Sequence, residues 1–207
     1  MLKPIKVTTI SDKSDYQVRF DLFDRLNRGG VILAPQEIRA CIYRGPFSEK
    51  LRELAKLESF KTVVKLPKRN EKNGTREEYV LRFFAFLYEY KNFEHSVVGF
   101  LNNYMERSTK IFNYSLNERL FQDVFQLLAD IFPEGIIRYQ KITPVNLFEG
   151  VAVGAALAYQ DRGKLSKRGV KLWINSEELR RYTTAATNSP QMVKGRIEFC
   201  RDRFLGK

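Results

Sequence analysis

A group of hydrogen-bond donors gathers around a glycine pair early in the chain. Arg25, Asn27 and Arg28 lead into Gly29-Gly30, and Gln36, Glu37 and Arg39 follow a short apolar stretch, Val31-Ile32-Leu33. Guanidinium and carboxamide groups present donors in fixed geometry, and glycine lets backbone amides approach a ligand closely. Residues of these types at this spacing suit an anion, phosphate above all. A second reading of the same residues is purely structural. Arg25 and Arg39 pair with Asp21, Asp24 and Glu37 along helices, and Asn-Arg-Gly-Gly ends a helix. Glu37 is then a capping-box carboxylate, although Ala34 stands where a Ser, Thr or Asp cap is usual.

The elements that must position this group are a helix over 16–28 ending on the glycine pair, a tight turn, and a helix from Pro35 to Arg44. Proline suits a first helical position because the amide it lacks would be unpaired there anyway. Upstream, Lys3 to Ile10 alternate with β-branched residues and predict a strand. Downstream, the spacing of apolar residues predicts helices over 48–57, 76–90, 96–110, 116–132, 144–160, 177–186 and 190–204. Thr75 to Glu78 and Ser115 to Glu118 each place a hydroxyl three residues before a carboxylate, a capping-box pattern. In the last helix Val193, Ile197, Cys200 and Phe204 form an apolar stripe, with Lys194, Arg196, Arg201 and Arg203 as a basic outer face. Gly150 and Gly154, four residues apart, predict a close helix crossing. The fold expected is mostly α, with a short N-terminal β element followed by a multi-helix bundle.

The chain has 207 residues, with 36 Lys and Arg against 24 Asp and Glu, a net charge of +12. That excess favours a polyanionic partner, nucleic acid first among them. Two stretches concentrate it in loops, one carrying Lys68, Arg69 and Lys72 and the other Lys164, Lys167 and Arg168. Each is a candidate phosphate-backbone contact or a solvated surface loop. Cys41 and Cys200 lie far apart with no C-x-x-C spacing, as in a reduced cytoplasmic protein. The longest apolar stretch, Val145 to Tyr159, contains Asn146 and Glu149 and is shorter than the roughly 20 residues a membrane span needs. No membrane partner is expected. His95 has only Glu94 beside it, so no metal site is expected either.

The string Phe23-Asp24-Arg25-Leu26-Asn27-Arg28-Gly29-Gly30, then Leu33, Gln36-Glu37 and Arg39, then Tyr43 to Phe47, resembles the GmrSD-type restriction family. The likeness continues through Glu78 to Phe86 and Pro144 to Glu149. The resemblance implies a ParB-like segment over 1–45, a helical domain over 46–207, and a role in prokaryotic defence against modified or foreign DNA. It also implies nucleotide binding by the ParB-like part. The family's D-G-Q-Q-R block is missing, and nothing resembles its nuclease module. Phosphoryl chemistry needs charge neutralised on both sides of the transferring group. The expectation is therefore a non-nucleolytic, DNA-associated subunit, with a nucleotide and Mg²⁺ only where a protein partner supplies the missing half. The alternatives are an interaction module that completes such a partner, and a helical scaffold without ligand.

Overall fold

The computed structural model describes residues 18–20, 22, 25, 33–138, 141–184 and 187–207. The strand expected over Lys3 to Ile10 lies outside these, as do Asn27, Arg28, Gly29 and Gly30. Among the described residues every regular element is helical. The helices are α1 (Pro35–Ile42), α2 (Pro46–Leu54), α3 (Glu58–Val63), α4 (Thr75–Glu89), α5 (Val97–Lys110) and α6 (Tyr114–Ile131). Next comes α7, a composite of α-helical Val145–Phe148, a π turn Glu149–Val153 and α-helical Gly154–Arg162. Then follow α8 (Val170–Trp173), α9 (Glu177–Thr183) and α10 (Pro190–Phe204).

Helix α4 is the axis of the bundle. Val80, Leu81, Phe83, Phe84, Ala85 and Phe86 are all fully buried, so apolar residues surround it almost completely, as expected of a helix enclosed on every side. It is packed by α1, α2, α5 and the π turn of α7, while α3 lies on α6 and α10 on α7. Phenylalanines fill the centre. Phe83 meets Phe121 edge-on at 5.2 Å, and Phe60 meets Phe125 at 4.9 Å, the edge-to-face arrangement that ring quadrupoles prefer. Ile38 and Ile42 of α1 and the helical residue Phe20 join the same core.

Two helix starts differ from the capping pattern. Gly74 caps α4 in a left-handed conformation, φ 73°, while the Thr75 hydroxyl turns back to Asn73 Oδ1. Glu78 is thereby left without a capping role. At α6 the cap is Asn113, whose Oδ1 accepts the Leu116 amide at 3.2 Å, in place of Ser115. Asn outcompetes Ser here by sitting earlier, in extended backbone, where its side chain can fold over the first turn.

Gly150 and Gly154 make the close crossing that their spacing predicts. A Cβ on Gly154 would lie 2.7 Å from both Cys200 Cβ and the Arg201 amide nitrogen of α10, and one on Gly150 would lie 3.0 Å from the Arg196 carbonyl. Because backbone as well as side chain blocks the site, Gly154→Ala is expected to destabilise the protein by about 1–3 kcal/mol in chemical denaturation. Gly99→Ala is expected to be neutral or stabilising by up to about 1 kcal/mol, since Gly99 sits in a helix where a Cβ first meets Ser96 Oγ at 3.4 Å.

Candidate functional site

Helix α1 carries Gln36, Glu37 and Arg39, the phosphate-site candidates expected to support the glycine-bordered string, and local chemistry fixes each of them. Ala34 is extended, Pro35 opens the helix, and Glu37 Oε2 accepts the Ala34 amide at 2.7 Å, so Glu37 is the capping-box carboxylate. Gln36 is buried, with its Oε1 accepting Arg39 Nη1 at 3.1 Å. Arg39 faces inward and is 1% exposed. Its Nε donates to Asn102 Oδ1 of α5 at 2.8 Å, and its Nη1 donates to Glu78 Oε2 of α4 at 3.0 Å. Asp21 and Asp24, its expected partners, lie outside the described residues. Arg25 is exposed.

The pair of Arg39 and Glu78 begins a longer chain. Glu78 Oε1 accepts from Arg82 Nε at 3.0 Å and Nη2 at 2.7 Å, and Arg82 Nη1 donates to Glu149 Oε1 at 2.7 Å. Glu149 Oε2 in turn accepts from Arg196 Nη2, and Arg196 Nη1 donates to the Thr187 carbonyl at 2.6 Å. Arg196 is 0% exposed, so it leaves the basic outer face expected of α10 and lies on the inner side among Val193, Ile197 and Cys200. The reason is Glu149. A buried carboxylate requires a cation, and the π turn brings this one against α10.

Ionisation in this chain follows from burial against pairing. Burial pushes the Glu78 carboxyl up, but Arg82 and Arg39 outweigh it and hold the group below its ordinary value. Burial depresses the Arg39 guanidinium, which Glu78 only partly restores. For Arg82, burial opposes the charge, but Glu149 and Glu78 win and raise its pKa.

Outside α1 two shallow hollows adjoin. One of about 250 Å³ is lined by Gln36, Glu37, Ser48, Arg52 and Glu77, and a second of about 360 Å³ shares Ser48 and Arg52 and adds Cys41, Arg44 and Glu49. Their two arginines face three carboxylates, a mixed lining rather than an anion cradle. Sequence spacing did not single out Ser48, Arg52 or Glu77, because they come from two other helices.

The six expected nucleic-acid contacts are all exposed. Lys68 and Arg69 occupy a 3₁₀ turn, Lys68–Asn70, with Lys72 just beyond, while Lys164, Lys167 and Arg168 follow α7. None forms an ion pair with another described residue. The first loop starts from a fixed base. Lys65 N donates to Thr143 Oγ1 at 2.8 Å, Thr143 N donates back to the Lys65 carbonyl at 2.9 Å, and Arg76 Nη1 donates to the Val64 carbonyl at 2.9 Å. His95 is exposed, and the described residues contain no group of three or more His, Cys, Asp or Glu placed to hold a metal. None of the described helices is long and apolar enough to cross a membrane.

The chain matches no protein-family model, no curated protein and no solved structure. Three stretches far apart in the sequence meet in space. Arg39, the pair Glu78 and Arg82, and Glu149 come one from each, and they are successive links of the ionic chain.

Removing a link should cost far more than a surface charge. Glu149→Ala leaves Arg82 and Arg196 facing a buried gap, with an expected loss of about 3–5 kcal/mol in denaturant unfolding. Glu78 has the opposite diagnostic in pH. Its folded pKa lies below the ordinary 4.5, so its contribution is complete above that value and is lost as pH falls below it. Stability measured from pH 7 to pH 3 should drop at the acid end, and Glu78→Gln should flatten that drop while lowering stability at neutral pH.

Proposed function

We propose that this protein is a non-nucleolytic, nucleic-acid-associated component of a GmrSD-like prokaryotic defence system, with DNA as its partner. The observation that supports this reading is the pair of exposed basic loops, whose six cations have no ion-pair partner among the described residues. A cation already paired to a carboxylate has to break that pair before it can neutralise a phosphate. Lys68, Arg69, Lys72, Lys164, Lys167 and Arg168 have no such competitor among those residues. Each phosphate they neutralise releases condensed counterions, so binding must weaken steeply with salt. Arg25 and the Asn27 to Gly30 string keep the role of phosphate-facing candidates in this reading, with Glu37 and Gln36 as their supports. The inward-facing Arg39 contributes by holding α1 in place.

A second reading, a protein-interaction module, is favoured by one further surface. Ile111 is 87% exposed and Leu116 61% exposed, and they flank an apolar-walled groove of about 480 Å³ that also includes Tyr104 and Phe112. The partner in this reading carries the D-G-Q-Q-R block and with it completes a site for a nucleotide and Mg²⁺.

Duplex DNA binding measured across a salt series separates the two. The logarithm of affinity should fall with the logarithm of salt concentration, with a slope of about 0.9 per neutralised phosphate. The changes Lys68→Glu with Arg69→Glu, and Lys164→Glu with Lys167→Glu, should each reduce the slope by about one for every phosphate left without its cation. Salt-insensitive binding, or slopes unmoved by either pair, rejects the nucleic-acid reading. Loss of co-purification with a D-G-Q-Q-R polypeptide on Ile111→Asp with Leu116→Asp supports the second.

A further inference from the structure

The two hollows beside α1 meet the start of α2, and that helix start is open. Gly45 precedes it, no side chain caps it, and Pro46 has no amide to offer. The Glu49 amide already donates to the Gly45 carbonyl at 3.1 Å, which leaves the amides of Phe47 and Ser48 as the unmet donors of the first turn. A helix start in this state favours an anion.

The Ser48 side chain adds an independent sign. The residue is 4% exposed and lines both hollows, yet its hydroxyl makes no hydrogen bond with any described residue. A helical hydroxyl often turns back onto the carbonyl one turn earlier, as Thr183 does onto Leu179 at 2.8 Å. Ser48 does not, and its oxygen is not sealed from the surface, so the partner it lacks is one that would arrive through the hollows.

The charges of the two hollows differ in sign. The larger sets Arg44 and Arg52 against Glu49, and neither arginine side chain is paired with another described residue. The smaller shares Ser48 and Arg52 but sets Glu37 and Glu77 against that one cation, and the half-buried Glu77 carboxylate likewise has no partner among the described residues. From this polarity we infer that the adjoining hollows together bind a small zwitterion of the amino-acid kind. Its carboxylate lies at the start of α2, where the Phe47 and Ser48 amides, the Ser48 hydroxyl and the forked guanidiniums of Arg44 and Arg52 donate to it. Its ammonium lies towards Glu77. Phosphate suits the place less well, because its further negative charge would face the carboxylates of the same lining. The site uses none of the six loop cations, so it stands or falls independently of the nucleic-acid reading.

Cys41 reports on the place directly. It is exposed and lines the larger hollow, whereas Cys200, the other cysteine of the chain, is buried. The full chain is titrated with glycine, γ-aminobutyrate, acetate, inorganic phosphate and methylammonium, following the backbone amide resonances of Phe47 and Ser48 and the rate at which neutral iodoacetamide alkylates Cys41. Saturable movement of both amides and slower alkylation are expected with a zwitterion at lower concentration than with acetate, phosphate or methylammonium. Arg44→Gln with Arg52→Gln is expected to weaken zwitterion binding by about tenfold or more, and Ser48→Ala by about threefold or more, while Lys194→Gln, at an exposed position of α10, leaves it in place. Glu77→Gln is expected to weaken the zwitterions and to spare acetate. Should Ser48→Ala fail to fold by circular dichroism, the arginine variant, altered only at exposed positions, decides alone. No saturable change of the amides or of Cys41 with any of the five probes overturns the site. Acetate or phosphate binding as tightly as the zwitterions, unmoved by Glu77→Gln, overturns the zwitterion as its ligand. Zwitterion binding that survives the arginine variant unaltered overturns the assignment as well.

Discussion

A single line of alternating charge, Arg39–Glu78–Arg82–Glu149–Arg196, runs through the interior and joins α1, α4, α7 and α10. Removing charges from water carries a large desolvation cost, and attraction offsets it only when geometry is good and the leftover donors find acceptors. Here three guanidiniums meet two carboxylates, so the line carries one surplus positive charge. Neutral acceptors take up part of the imbalance at its two ends, Asn102 and Gln36 at Arg39 and the Thr187 carbonyl at Arg196, whose Nε stays buried without a partner. The helices joined by this line are held in one relative arrangement, because a shift of any of them separates a charge from its partner in a poorly solvated place.

Helix α1 depends most on that constraint. At eight residues it is too short to be stable alone, and its apolar contribution to the core is Ile38 and Ile42. Arg39 docks it onto α4 and α5. The glycine-bordered string just upstream thus emerges from a helix whose position is set from inside the bundle. Arg39, Glu78, Arg82 and Glu149 thus have an architectural reason to occur together that is separate from any ligand.

Much of the helical architecture could be read from periodicity. Leu120, Phe121, Val124, Phe125 and Leu128 repeat at helical spacing, and all are buried along α6. Two short helices, Glu58–Val63 and Val170–Trp173, escaped because one or two turns give too few residues for a period to show. Arg196 was misplaced for a different reason. Its charge suggests solvent, and only Glu149, a residue of a different helix, makes the interior acceptable to it. Local patterns show helices, caps and charged loops. They do not show which charges meet.

The π turn at Glu149–Val153 holds one more residue than an ordinary helical turn would place there. Because each residue advances a helix by about 100°, everything after Val153 faces its direction only by virtue of that extra residue. Shortening the segment by one would keep its apolar character yet swing Gly154 away from α10 and present a bulkier neighbour to it. The length of this stretch is therefore as much a determinant of the fold as its composition, and insertions or deletions that surface loops absorb freely have no neutral form here.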